Sequence, residues 1–95
     1  MPEMHFHIRW PDGTPERCYS PSLVVKDHLT PGATYGLDEF LDRARTALNE
    51  ASARVAQRYG HPCSLALGQL ARIETMSRRF QCMPDARIGV ERFEQ

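Results

Sequence analysis

Met4, Phe6, Ile8 and Trp10 alternate with His5, His7 and Arg9, the period of two expected of a strand buried on one face. Pro11-Asp12-Gly13 follows. Proline presets φ, aspartate bonds back to the backbone and glycine takes positive φ, which together predict a hairpin turn. A second strand is expected from Glu16 to Ser20. With a loop of three residues, Cys18 falls opposite Phe6 on the apolar face and Arg17 opposite His7 on the polar face. A slip of one residue would reverse that assignment. Ser20-Pro21-Ser22 ends the strand, because proline cannot donate to a ladder and serine before proline also reads as a helix N-cap. Leu23 to Leu29 then suits a short helical turn, and the β-branched pair Val24-Val25 suits extended backbone equally, so both conformations stay open. Thr30-Pro31-Gly32 reads as a turn, and the stretch through Gly36 as loop.

From Leu37 the period changes. Leu37, Phe40, Leu41, Ala44, Ala47, Leu48, Ala51, Val55 and Tyr59 recur at spacings of three and four, one apolar stripe on a helix of about six turns. Asp38, Glu39 and Asp42 near its start and Arg54 and Arg58 near its end complement the helix dipole, and Gly60 with Pro62 stops it. A second helix is expected from about Ser64 to Phe80, with Ala66, Leu70, Ile73 and Phe80 turned inward and Gly68 costing about 1 kcal/mol unless another backbone packs closely there. After Met83-Pro84-Asp85, Ile88 and Val90 alternate with Arg87, Gly89 and Glu91, enough for a short third strand before the tail frays. The expectation for residues 1–95 is therefore a single α+β domain in the order ββααβ. A small antiparallel sheet of about three strands, the hairpin plus a C-terminal strand, carries two antiparallel helices on one face.

Composition narrows the function. Hydrophobic residues make up 41% and charged residues 25% of 95, ordinary for a folded domain with a modest core. No apolar run is longer than the three residues of Leu23-Val24-Val25, and the N-terminus lacks the basic-then-apolar order of a signal peptide, so the chain is expected in the cytoplasm and not in a membrane. Twelve basic residues balance twelve acidic ones, which argues against nucleic acid as a partner. Two open sheet edges and little repulsion between copies predict a homodimer, formed through an edge or the helix pair. Three cysteines, Cys18, Cys63 and Cys82, form no Cys-x-x-Cys pair and predict no disulfide framework.

Candidate chemistry is sparse. His5 and His7, two apart on a strand, project from one face and could hold a metal if His28, His61 or a carboxylate supplied a third ligand, although a polar strand face is the more common reason for such residues. Cys63 beside His61 at a helix start has the setting of an activated thiol. Core packing explains both Cys63 and Cys18 as well. The Ser20 and Ser22 hydroxyls could bind an anion, with capping the plainer role. No catalytic triad, phosphate loop or dinucleotide fingerprint is present, and no cofactor is called for. The residues favour a binding or accessory protein over an enzyme.

One resemblance extends this picture. Phe6-His7-Ile8-Arg9-Trp10-Pro11-Asp12-Gly13, Glu16-Arg17-Cys18-Tyr19-Ser20-Pro21-Ser22 and Val24-Val25-Lys26-Asp27 resemble the small nitrogen-starvation-response proteins encoded in bacterial nitrilase gene clusters. The likeness continues through Arg45-Thr46-Ala47-Leu48, Ala51-Ser52, Arg54-Val55, Tyr59-Gly60 and Cys63-Ser64 and runs to about Phe80. It implies a role beside a nitrilase, a radical enzyme, an acetyltransferase and a flavin oxidoreductase, in a pathway tied to nitrogen limitation and to nitrile or cyanide assimilation. It implies no catalytic residues. The expectation is a non-catalytic accessory protein that binds an enzyme of the cluster through His5, His7, Arg17 and Tyr19 on the polar sheet face, or through Ser20 and Ser22. The alternative is a small thiol- and histidine-dependent enzyme or ligand carrier using Cys18 or Cys63 with His7 or His61.

Overall fold

A computed structural model describes residues 2–61 and 63–95; Pro62, read above as part of a helix stop, and Met1 lie outside them. Strands β1 (Met4–Arg9) and β2 (Pro15–Ser20) form the hairpin. Gly13 closes its loop at φ 91°, Trp10 N–H donates to the Thr14 carbonyl at 2.8 Å, and the Asp12 carboxylate accepts from Thr14 N–H at 3.0 Å. Phe6 stands opposite Cys18 and His7 opposite Arg17, as a three-residue loop predicts. Leu23–Asp27 adopts a short 3₁₀ helix. It is capped by Ser22 Oγ, which accepts from Val24 N–H at 3.3 Å.

The sheet has four strands where the sequence predicts about three. The additional strand, β3 (Thr34–Gly36), lies in the segment read as loop, so the chain order is ββ, then β, then αα, then β. The last strand, β4 (Arg87–Glu94), runs eight residues without fraying. It pairs with β1 on one side and β3 on the other, giving an all-antiparallel sheet in the order β2-β1-β4-β3. Val90 faces Ile8 while Arg92 faces His7, so Glu91 is an extra residue, a bulge in β4. A bulge breaks the period of two, which is why alternation read from the sequence stopped at Glu91.

Helix α1 (Leu37–Tyr59) buries Leu37, Phe40, Leu41, Ala44, Ala47, Leu48 and Ala51, and ends at Gly60 in the left-handed conformation, φ 85°. Its stripe outruns the core, since Val55 is only half-buried and Tyr59 is exposed. Helix α2 (Ser64–Ser77) continues as a 3₁₀ turn over Arg78–Phe80. Arg45 early in α1 reaches Glu74 late in α2 at 2.9 Å, and Ser52 late in α1 accepts from the Cys63 N–H ahead of α2 at 3.2 Å. The pair is therefore antiparallel. Around Gly68 an added Cβ would meet nothing within 4 Å, so no close backbone offsets its poor helix propensity.

One apolar cluster joins the layers: Phe6, Ile8 and Trp10 from β1, Ile88 and Val90 from β4, Phe40 and Leu48 from α1, and Leu70 and Ile73 from α2. Each such side chain, fully buried, is worth about 1.5–3 kcal/mol. The helices take one face of the sheet and leave the other to solvent.

Candidate functional site

Alternation sends His5, His7 and Arg9 of β1, with Arg17 and Tyr19 of β2, to the face away from the helices. The pairing of β4 adds Arg87, Glu91, Arg92 and Glu94 to that face. Glu94 ties the strands together. Its carboxylate accepts from His7 Nε2 at 2.7 Å, and from Arg17 Nε at 3.2 Å and Nη2 at 2.8 Å. Because an ionised carboxylate only accepts, the His7 proton sits on Nε2. Toward the hairpin loop, Arg9 Nε donates to Glu91 at 3.0 Å and Arg9 Nη1 to the Gly13 carbonyl at 2.7 Å.

The Arg17 hydrogen bond, followed by that of His7, holds the Glu94 carboxyl down at about 2 against an ordinary 4.5, and the same bond raises Arg17. A carboxyl depressed in the folded state stabilises above its unfolded value and loses that contribution as pH falls through its folded one. The melting-temperature gap between the wild type and Glu94→Gln is thus expected to be constant above pH 4.5 and to close between about 4.5 and 2. A gap that stays open at pH 2 would show that Glu94 acts through packing alone.

Further along β2, the Tyr19 ring meets the His5 ring edge-on at 5.6 Å between centroids. Burial, then a hydrogen bond to the Glu3 carboxylate, pushes the Tyr19 hydroxyl up to about 12, so it stays protonated across the physiological range. Its backbone N–H, at the sheet edge, donates to Gln69 Oε1 of α2 at 3.0 Å.

The remaining candidates are dispersed. Cys18 is buried on the apolar face, where burial pushes its thiol well above the usual range. Cys63 is half-buried at the N-cap of α2. His28 lies off the sheet face, its Nε2 2.8 Å from Glu50 of α1, and His61 is exposed in the link between the helices. Among the described residues, no three histidine, cysteine or acidic side chains converge to hold a metal. Ser20 and Ser22 are buried, Ser20 Oγ donating to the Ser22 carbonyl at 2.7 Å, so both hydroxyls serve the turn and the cap. A cleft of about 480 Å³ opens at the first turn of α1 beside Asp38, Glu39, Gln81 and Asp85, and no cysteine or histidine lines it.

The sheet face thus gathers His5, His7, Arg17 and Tyr19, and it adds Arg87, Arg92 and Glu94, which sequence reasoning did not single out. The available signal was Phe93, which pairs with Phe6 and resumes the apolar phase two residues beyond the Glu91 bulge.

A family model described as nitrogen starvation-induced protein NitG matches residues 5–93. The chain belongs to this family. No curated protein and no solved structure matches it. The NitG match spans the hairpin from His5 on, both helices and β4 up to Phe93, so the family assignment covers the polar face except Glu94. It carries the tie to nitrogen starvation and says nothing of a nitrilase gene cluster. Among the described residues, no helix is long and apolar enough to cross a membrane.

Proposed function

We propose that this chain is a non-catalytic, cytoplasmic accessory protein of the nitrogen-starvation response, and that it binds an enzyme of a nitrilase gene cluster through the outer face of its sheet. The observation that supports this is a four-stranded face that neither helix covers, its polar groups held in place by the His7–Glu94–Arg17 network and the Arg9–Glu91 pair. A charged, pre-ordered surface suits a partner that must be recognised rather than a small molecule that must be enclosed. The chain is further proposed to act as a homodimer, which light scattering on the eluting protein would test.

The deciding experiment is recovery of tagged protein from nitrogen-starved cells. An enzyme of the nitrilase cluster is expected to come down with the wild type and to be lost with Arg17→Ala or Tyr19→Ala, while circular dichroism stays unchanged. Recovery of no such enzyme, or recovery indifferent to both substitutions, would sink the reading. A thiol- and histidine-dependent enzyme or carrier is the second reading. It draws on Cys63, half-buried at the N-cap of a 14-residue helix, and thiol labelling separates the two.

A further inference from the structure

Formal charge is zero for the whole chain, yet it is not evenly spread. On the outer sheet face Arg9, Arg17, Arg87 and Arg92 stand against two strand carboxylates, Glu91 and Glu94, while Glu3 just ahead of β1 is held by the Tyr19 hydroxyl. Both strand carboxylates are already engaged, Glu91 by Arg9 and Glu94 by Arg17 and His7. Arg87 and Arg92 are exposed and form no ion pair among the described residues. Arginines without a carboxylate on the other layer have a different explanation. Arg54 and Arg58 lie toward the end of α1 and Arg78 directly follows α2, where the helix dipole favours a cation. A strand has no comparable dipole, so Arg87 and Arg92 have no such structural account.

We infer that Arg87 and Arg92 receive the carboxylates of an extended acidic segment of a protein partner laid along β4. This rests on the partner-binding reading above and names the partner's chemistry. With Glu91 bulged out of register, the backbones of Arg87 and Arg92 lie about four strand steps apart, ~13 Å at ~3.3 Å per residue, the span of residues i and i+4 on one face of an extended chain. A planar guanidinium matches a carboxylate with two parallel hydrogen bonds. The sign pattern selects a protein over a polyanion. Nucleic acid or an anionic bilayer presents one charge throughout and would set phosphates against Glu91 and Glu94, whereas a polypeptide can place neutral or basic residues there.

The test titrates wild-type protein with a peptide of repeated Glu-Ser-Thr-Ser units while two-dimensional NMR follows the arginine Nε–H signals. Arg87 and Arg92 are expected to shift most, and the Arg87→Gln/Arg92→Gln double variant to bind about fivefold more weakly. Arg54→Gln/Arg58→Gln is expected to bind like the wild type. The inference fails if the helix-side pair matters equally, if the outer-face signals do not move, or if oligothymidylate or phosphatidylglycerol vesicles bind more tightly than the peptide. Should the double variant not fold, the shifts in the wild type decide. An enzyme still recovered from starved cells alongside a peptide that ignores β4 would overturn this inference and leave the accessory role standing. Peptide binding at β4 without a recovered enzyme would do the reverse.

Discussion

Trp10→Ala is expected to lose about 3–5 kcal/mol of folding stability, a large share of the 5–15 kcal/mol typical of a domain. The indole is 2% exposed and lies where the hairpin meets both helices. It stacks on Phe80 at 5.9 Å and meets Phe40 edge-on at 6.3 Å. Its Nε1–H donates to Glu16 at 2.9 Å, and the same carboxylate accepts from Arg72 of α2 at 2.7 Å. Because the Glu16 side chain is only 9% exposed, removing the indole also strips a nearly buried carboxylate of one donor. Trp10→Phe keeps one ring between Phe40 and Phe80 while it deletes the N–H and the second fused ring, for an intermediate loss of about 2–3 kcal/mol. Urea unfolding followed by circular dichroism reads both. Equal losses for the two variants would mean that a single ring between Phe40 and Phe80 contributes nothing to anchoring the sheet to the helices.

How far the fold could be read beforehand depends on which interactions are local. The hairpin register follows only if the loop holds three residues, which the sequence leaves open and the pairing of Phe6 with Cys18 settles, whereas α1 was legible because a long stripe repeats many times. Strand β3 was not legible, for it is three residues long and ends in glycine; it is a strand because β4, more than fifty positions later, pairs with it. The full length of β4 was hidden by the bulge at Glu91. The face carrying His5, His7, Arg17 and Tyr19 followed from alternation alone. Glu94, which joins His7 to Arg17, could not, since a strand that seems to end at Glu91 has no residue to offer there. Local propensity left Leu23–Leu29 undecided between helix and strand, and the buried Val24 and Val25 with the Ser22 cap resolve it as 3₁₀.

Alkylation of the native protein near neutral pH is expected to modify Cys82 first, Cys63 next and Cys18 last. Cys82 is exposed and Cys63 half-buried, so both are within reach of reagent without unfolding. Cys18 is 0% exposed, opposite Phe6, and its thiol is raised first by burial and then by the Glu16 carboxylate. Since the thiolate is the species that reacts, Cys18 requires opening of the core. With an open fraction of about 10⁻³ or less, its modification should be at least about a thousandfold slower than that of Cys82. It should accelerate with urea in step with global unfolding. Mass spectrometry of peptides containing each cysteine gives the three rates. The order of the other two separates the functional readings: a nucleophile activated at the start of α2 would make Cys63 outpace Cys82 and keep its rate as pH falls toward 6. A Cys63 rate that instead tracks its partial burial, and drops tenfold per pH unit, leaves no thiol chemistry for the folded chain to perform and throws the weight onto the sheet face.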